Sequence, residues 1–206
     1  MPRGIFVTFD GLDGSGKGTQ IIKAVDYVFS LSKENDIYLT REPTRDFSEI
    51  RKRMAAGTDV KKDARWYLDN FVSDRINHCL NYISPNLERR THVFSDRYKY
   101  ATITYQSLQG IPVEEIIFAH KNPAILVPDL TLIYDCPAEI AFERRKKGGA
   151  TDVFDKDLEF QKSLREKYLQ LPSLLPKEKI IIIDASRSIE EVFEETKIYL
   201  NRLFKK

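Results

Sequence analysis

Cysteine is scarce in this chain of 206 residues, which holds only Cys79 and Cys136, far apart and with no Cys-x-x-Cys pair or Cys/His cluster nearby. Such spacing offers neither a zinc site nor a redox pair, and both thiols are expected to be buried and reduced. Long apolar runs are missing as well. The clean ones, such as Ile180 to Ile183, are short against the roughly 18 residues of a membrane span. The opening stretch MPRGIFVTFDG has one arginine and only Ile5 to Phe9 before Asp10, too little for the apolar region of a secretion signal, so a cytoplasmic protein is expected. Charge of one sign is not in excess either, with 33 Lys and Arg against 31 Asp and Glu. Nucleic acid or an anionic membrane would ask for a basic excess or tail, so neither is expected as a partner and any anion site has to be local. Low-complexity tracts and Ser/Gly linkers are absent, and one domain over residues 1–206 is the economical reading. Glycine numbers only nine, yet Gly4, Gly11, Gly14, Gly16 and Gly18 crowd into the first eighteen residues.

What is present is a set of short apolar runs spaced too widely for hairpins: Gly4 to Phe9, Ile37 to Thr40, His92 to Ser95, Leu130 to Tyr134 and Ile180 to Ile183. These read as about five strands buried on both faces. Between them lie helical periods, such as Ile21, Val25, Val28 and Phe29, and later Ile189, Val192, Phe193, Thr196 and Leu200. The pattern predicts an α/β fold, a parallel sheet with helices on both faces. The longest helix is expected over about residues 62 to 83, with Leu68, Val72, Ile76, Cys79, Leu80 and Ile83 on one stripe and Pro85 as its stop.

In such a sheet ligands bind beyond the carboxyl ends of the strands. The exits are Asp10 to Thr19, Arg41-Glu42-Pro43-Thr44-Arg45, Asp96-Arg97-Tyr98 and Asp135-Cys136-Pro137, three of them with acid beside base. The first contains Gly11-Leu12-Asp13-Gly14-Ser15-Gly16-Lys17-Gly18-Thr19, the Gly, four residues, Gly-Lys spacing of a phosphate loop, here after a strand and before an amphipathic helix. Glycines let backbone amides turn toward an anion, the helix beginning near Gly16 adds its positive dipole end, and Lys17 supplies a cation for the β- and γ-phosphates of ATP. The position after Lys17, normally a Ser or Thr for Mg²⁺, is Gly18; Thr19 and the strand-end carboxylate Asp96 are the candidates for the metal.

Together, the glycine loop, Arg41-Glu42-Pro43, the Phe71/Arg75 pair, Asp96-Arg97-Tyr98 with Tyr105-Gln106, the basic run Arg144-Arg145-Lys146-Lys147, and Phe154-Asp155, Phe160-Gln161, Arg165 and Tyr168 resemble the thymidylate kinases, the P-loop nucleoside monophosphate kinases that phosphorylate dTMP. The resemblance covers essentially the whole chain. It implies the P-loop kinase fold with a short lid over about residues 143–153. It further implies that Phe71 stacks on thymine, Arg75 donates to its O4, Asp13 accepts from the 3′-hydroxyl and Tyr105 fills the place of a 2′-hydroxyl. Arg45 and Arg97 would hold the acceptor phosphate, and Arg41 and Gln106 complete the dTMP site. Two positions depart from the family: Ala101 stands where Ser is usual, and Val153 where Arg is usual.

The expected reaction is in-line transfer of the γ-phosphoryl group of ATP to dTMP, with Mg²⁺ as cofactor and catalysis by alignment and charge. Lys17, Arg97 and a lid arginine, Arg144 or Arg145, would act on the transferring group, since Gly14 occupies the place where some relatives carry that arginine. The family also pairs as homodimers, for which the 62–83 helix could supply a face. A kinase of the same fold acting on another nucleoside or monophosphate stays open, fed by Lys17-Gly18-Thr19; so does a non-catalytic nucleotide-binding module. Trp66, His78, His92, His120 and Met54 are expected to be packing or surface residues.

Overall fold

A computed structural model of the chain describes residues 3–56, 62–147 and 158–205. Five strands form one sheet: β1 (Phe6–Gly11), β2 (Ile37–Arg41), β3 (His92–Asp96), β4 (Leu130–Asp135) and β5 (Ile180–Asp184). Their order is β2-β3-β1-β4-β5 and all four pairings are parallel. β1, in the middle, is buried at every position, which is why it reads as a continuous apolar run rather than an alternating one. β2, at the edge, is half-covered, and Leu39 on it is 42% exposed. The expected strands are all present, and four of them end on the charged residue of their exit, Arg41, Asp96, Asp135 and Asp184.

β1 departs most from expectation, because it starts and ends two residues late. Asp10 and Gly11 are not loop residues: they pair with Ile133 and Tyr134 of β4, and Asp10 is fully buried. Gly4 has its own reason. Its amide donates to the Leu87 carbonyl, and a side chain there would collide with the Thr91 carbonyl.

The crossovers supply α1 (Lys17–Leu31), α2 (Ser48–Ala56), α3 (Ala64–His78), α4 (Ser84–Glu88), α5 (Lys99–Leu108), α6 (Val113–Ala119), α7 (Ala138–Lys147), α8 (Leu158–Leu174) and α9 (Ile189–Phe204). α1 and α9 pack together on one side of the sheet, while α5 packs with α3, α6 and α8 on the other. α9 opens with a capping box, Ser188 accepting from the Glu191 amide while the Glu191 carboxylate accepts from the Ser188 amide. The inward stripe of α1 is Gln20, Ile21, Ala24 and Val28; Phe29, expected on it, is exposed. Ile189, expected inside on α9, is half-exposed.

The long helix is interrupted. After His78 the chain makes a π-helical turn, Cys79–Ile83, and continues as α4 past Pro85. The wider turn carries the preceding carbonyls away from the proline ring, so Pro85 sits in the first turn of α4 instead of stopping the helix. The same turn swings Leu80 outward, where it is 56% exposed, and leaves Tyr67, Leu68, Asp74, Arg75, His78, Cys79 and Ile83 as the buried side. Both cysteines are buried and free. Among the described residues no helix is long and apolar enough to cross a membrane. The expected lid is described only up to Lys147, so Asp152, Val153, Phe154 and Asp155 lie outside the described residues.

Candidate active site

The loop after β1 is shaped by backbone approach. Gly11 has φ +134°, and a Cβ there would sit 2.6 Å from the Tyr134 carbonyl oxygen. Gly14 and Gly16 are left-handed, and a Cβ on Gly14 would collide with the Ala141 carbonyl, so α7 rests directly on the loop. That contact leaves no room for an arginine side chain at position 14 in this conformation and brings Arg144 and Arg145 to the loop's rim instead. No side chain caps α1 and its first turn holds no acid. Its amides and positive dipole end therefore stay available to an anion.

A cleft of about 700 Å³ opens over this loop, walled by α3, α5 and the β2 and β3 exits. Lys17 and Arg97 both reach Asp13, at 2.8 and 2.5 Å. Burial acts to raise the Asp13 pKa, but Arg97 and then Lys17 outweigh it and hold the carboxyl far below the usual range. Conversely, burial works against the Arg97 cation, and Asp13 together with Tyr105, Tyr168 and Asp10 more than restores it. Arg97 takes φ 70°, fixed by its amide to the Phe9 carbonyl and by the Ser95 hydroxyl donating to its own carbonyl. A left-handed arginine costs of order 1–3 kcal/mol, and here the turn aims the guanidinium back over the loop. Arg97 also lies over the Tyr105 ring, 5.5 Å from its centre.

At the far end of the cleft Phe71, stacked on Tyr67, flanks Arg75. Arg75 is 2% exposed. Its Nε and Nη2 donate to Glu42 Oε2 at 2.7 and 2.5 Å, Nη2 also to Thr102 Oγ1 at 3.2 Å, and Nη1 to His120 Nε2 at 2.6 Å. Glu42 Oε1 meets His78 Nδ1 at 3.0 Å, and His78 Nε2 meets the Thr40 hydroxyl at 2.8 Å. Asp74 holds the β2 exit to α3 by accepting from both the amide and the hydroxyl of Thr44. Gln106, buried and lining the same cleft as Arg75, has its Oε1 without a hydrogen-bond partner among the described residues. Asp10 lies beneath the phosphate end, accepting from the Tyr98 amide and from the Tyr168 hydroxyl. Burial pushes its pKa up to about 7 against the pull of Arg97 and Lys17.

The cleft thus gathers Asp13, Gly14, Gly16, Lys17, Gly18, Thr19, Arg41, Phe71, Arg75, Asp96, Arg97, Tyr105, Gln106, Arg144 and Arg145. Four expected residues fall outside it. Gly11 is inside β1, and Leu12 is buried in the core at 2% exposure. Ser15 is buried with its hydroxyl unpartnered among the described residues. Arg45 is exposed and lines an adjoining depression of about 660 Å³ with His78 and Tyr82, which shares Gly18, Arg41, Arg51 and Asp96 with the cleft. The β2 exit turns it away because the Thr44–Asp74 clamp fixes the preceding residue against α3. In its stead Arg51, from α2, lines the cleft and donates to the Pro43 carbonyl at 2.7 Å. Sequence reasoning also missed Glu42, Met54, Thr102 and, behind the cleft, His78 and His120. The helical spacing of Arg51 and Met54 on α2 was a usable signal; the partners of Arg75 come from three separate segments and had none.

For a divalent cation, Asp96 Oδ1 is buried and unpartnered while Oδ2 accepts from the Arg41 guanidinium, and Thr19 stands exposed in the first turn of α1 at the cleft. A carboxylate oxygen without a partner among the described residues, on a side chain lining the cleft with the glycine loop, suits the hard oxygen coordination of Mg²⁺. Among the described residues no cluster of three or more His, Cys, Asp or Glu side chains forms a closed metal cage.

The family model described as thymidylate kinase matches residues 9–196. A probable thymidylate kinase of Pyrococcus abyssi is 32% identical over 200 residues, covering 94% of each chain. A thymidylate kinase of Bradyrhizobium sp. is 35% identical, covering 92% of this chain and 86% of its own. The crystal structure of thymidylate kinase from Ehrlichia chaffeensis superposes with a TM-score of 0.76 at 27% identity, covering 97% of this chain and 99% of that one. The glycine loop, Arg97 and the Phe71/Arg75 end of the cleft all lie within the matched span, and the chain belongs to the thymidylate kinase family.

Proposed function

We propose that the protein is an ATP-dependent dTMP kinase, converting ATP and dTMP to ADP and dTDP. The observation that carries this is the polarity of the cleft's base end. Arg75 offers only donors, and Gln106 Oε1 is a buried acceptor still without a partner. A thymine edge presents the complement, a carbonyl at O4 and an N–H at N3. Cytosine presents the reverse at both atoms and would leave buried donors facing donors, which costs ~1–3 kcal/mol per unsatisfied group. Phe71 supplies an aromatic face for the ring, and Tyr105 crowds the sugar.

In the phosphate half, Arg97 and Arg51 are suited to grip the acceptor phosphate, each guanidinium spanning two oxygens. The β- and γ-phosphates of ATP would take the α1 amides and Lys17. An oxygen of the acceptor phosphate, already anionic, attacks the γ-phosphorus as the bond to ADP breaks, so no general base is required. Lys17, Arg97 and Arg144 or Arg145 spread positive charge over the transferring group. Asp96 and Thr19 would hold Mg²⁺, which, when bound, neutralises phosphate charge. Asp13 would leave its two cations and accept from the sugar 3′-hydroxyl.

A steady-state panel of dTMP, dUMP, dCMP and AMP tests the reading: dTMP should lead, and comparable turnover of dCMP or AMP would sink it. The chain is further read as a cytoplasmic homodimer with the outer face of α3 and its π turn, where Leu80 is exposed, as the apolar contact. Sedimentation at the 24.0 kDa monomer mass would remove the dimer from this reading.

A further inference from the structure

The buried partners of Arg75 single out a residue on an element that the cleft does not otherwise use. His120 follows the last turn of α6 and is 7% exposed. Its Nε2 lies 2.6 Å from Arg75 Nη1 and its Nδ1 2.7 Å from the Ile116 carbonyl oxygen. A guanidinium has no lone pair to offer, so Nε2 must accept; the ring proton then sits on Nδ1 and is donated to Ile116. Both ring nitrogens are satisfied in only one state, the neutral Nδ1–H tautomer.

The count of hydrogens on Arg75 shows what this achieves. Five N–H groups leave a guanidinium. Two go to Glu42, one to Thr102 and one to His120. The fifth, on the same Nη1 that His120 holds, is the one without a protein acceptor among the described residues, and Arg75 lines the cleft. Glu42 alone would leave the far side of the planar group free to tilt about the Nε–Nη2 edge. The acceptor on α6 pins that far side.

We infer that His120 is a positioning residue for base recognition, a neutral acceptor that takes one Nη1 hydrogen of Arg75 and thereby aims the other at the carbonyl of a keto-imide base such as thymine or uracil. This rests on the reading of Arg75 as the base donor. Burial, and then the nearby Arg75 cation, depress the His120 pKa to about 3, so the acceptor persists throughout the physiological range.

The test compares His120→Leu, which fills the site without an acceptor, with His120→Gln, whose side-chain oxygen reaches toward the place of Nε2. His120→Leu should raise KM for dTMP on the order of tenfold, leave kcat within about threefold, and narrow the dTMP-over-dCMP preference. His120→Gln should recover most of both. Equal behaviour of the two variants would overturn the inference. Arg75→Lys separates the two layers: if it keeps the dTMP-over-dCMP preference, the reading of Arg75 falls, whereas loss of preference there with an indifferent His120→Leu removes only the role of His120. Should His120→Leu fail to fold, long-range proton–nitrogen NMR of the unmodified protein decides. Nδ1–H with an unprotonated Nε2 from pH 5 to 8 supports the inference, and a protonated Nε2 overturns it.

Discussion

Three glycines of the Gly11–Thr19 segment should respond to alanine in three different ways, because the backbone asks something different of each. Gly18 lies within α1 with open space around its Cβ position and no positive φ. Replacing it by Ala removes a helical glycine and should stabilise by ~0.5–1 kcal/mol. Gly16 also faces open space, but at φ +90°, so its alanine variant bears only the left-handed penalty of ~1–2 kcal/mol. Gly14 combines φ +88° with a collision against the backbone carbonyl of Ala141. Arg145 Cγ, at 3.0 Å, can give way but the Ala141 backbone cannot, so an overpacking cost of ~1–3 kcal/mol adds to the same conformational one, giving about 2–5 kcal/mol in all. Urea unfolding of the three variants at neutral pH reads the differences directly, with unchanged m-values as the check that only the native state moved. The expected order of stability is Gly18→Ala, wild type, Gly16→Ala, Gly14→Ala. Displacing α7 also shifts Arg144 and Arg145, so Gly14→Ala should lose turnover out of proportion to its remaining folded fraction. Equal costs at all three positions, or Gly18→Ala as the least stable, would refute the idea that Gly14 is a docking point for α7.

Asp10→Asn removes a carboxyl that stays protonated in the fold up to about pH 7 while its unfolded counterpart ionises near 3.8. A raised carboxyl pKa contributes stability that is full below about pH 4 and lost as pH climbs through 7, so the stability of Asp10→Asn relative to wild type should rise across that window, by up to ~4 kcal/mol; a pH-independent difference in unfolding free energy refutes this. Among the arginines, Arg51→Ala should raise KM for the nucleotide acceptor on the order of tenfold, as expected for a charge-assisted contact. Arg45→Ala, whose side chain lines the adjoining depression but not the cleft, should stay within about twofold, and the reverse order in steady-state assays would contradict the placement of the two side chains.

Much of this protein was written in short-range pattern. Continuous apolar runs predicted five strands because a sheet covered on both faces has no polar side to alternate with, and the Gly-Lys spacing predicted a phosphate loop because backbone amides can turn toward an anion only where side chains are absent. The exits Arg41-Glu42, Asp96-Arg97 and the Phe71/Arg75 pair were legible as chemistry, since the carboxyl ends of parallel strands share one edge. Periodicity failed where a local rule was broken by packing. The π turn at Cys79–Ile83 carries no composition of its own, yet it turned Leu80 out and let the helix pass Pro85.

What only the tertiary structure decided is the pairing of charges across segments. Composition cannot say that Asp13 neutralises both Lys17 and Arg97, that the Thr44–Asp74 clamp turns Arg45 outward while Arg51 lines the cleft, or that His78 and His120 meet on either side of the Glu42–Arg75 pair. Both histidines were expected to be packing or surface residues. Their partners lie tens of positions away, and a hydrogen bond is set by distances of about 3 Å, a scale that only the folded chain fixes. The sequence by itself determined which elements form and which edge carries the chemistry, because those follow from local burial and backbone freedom; which donor faces which acceptor was settled by the packing of helices onto the sheet.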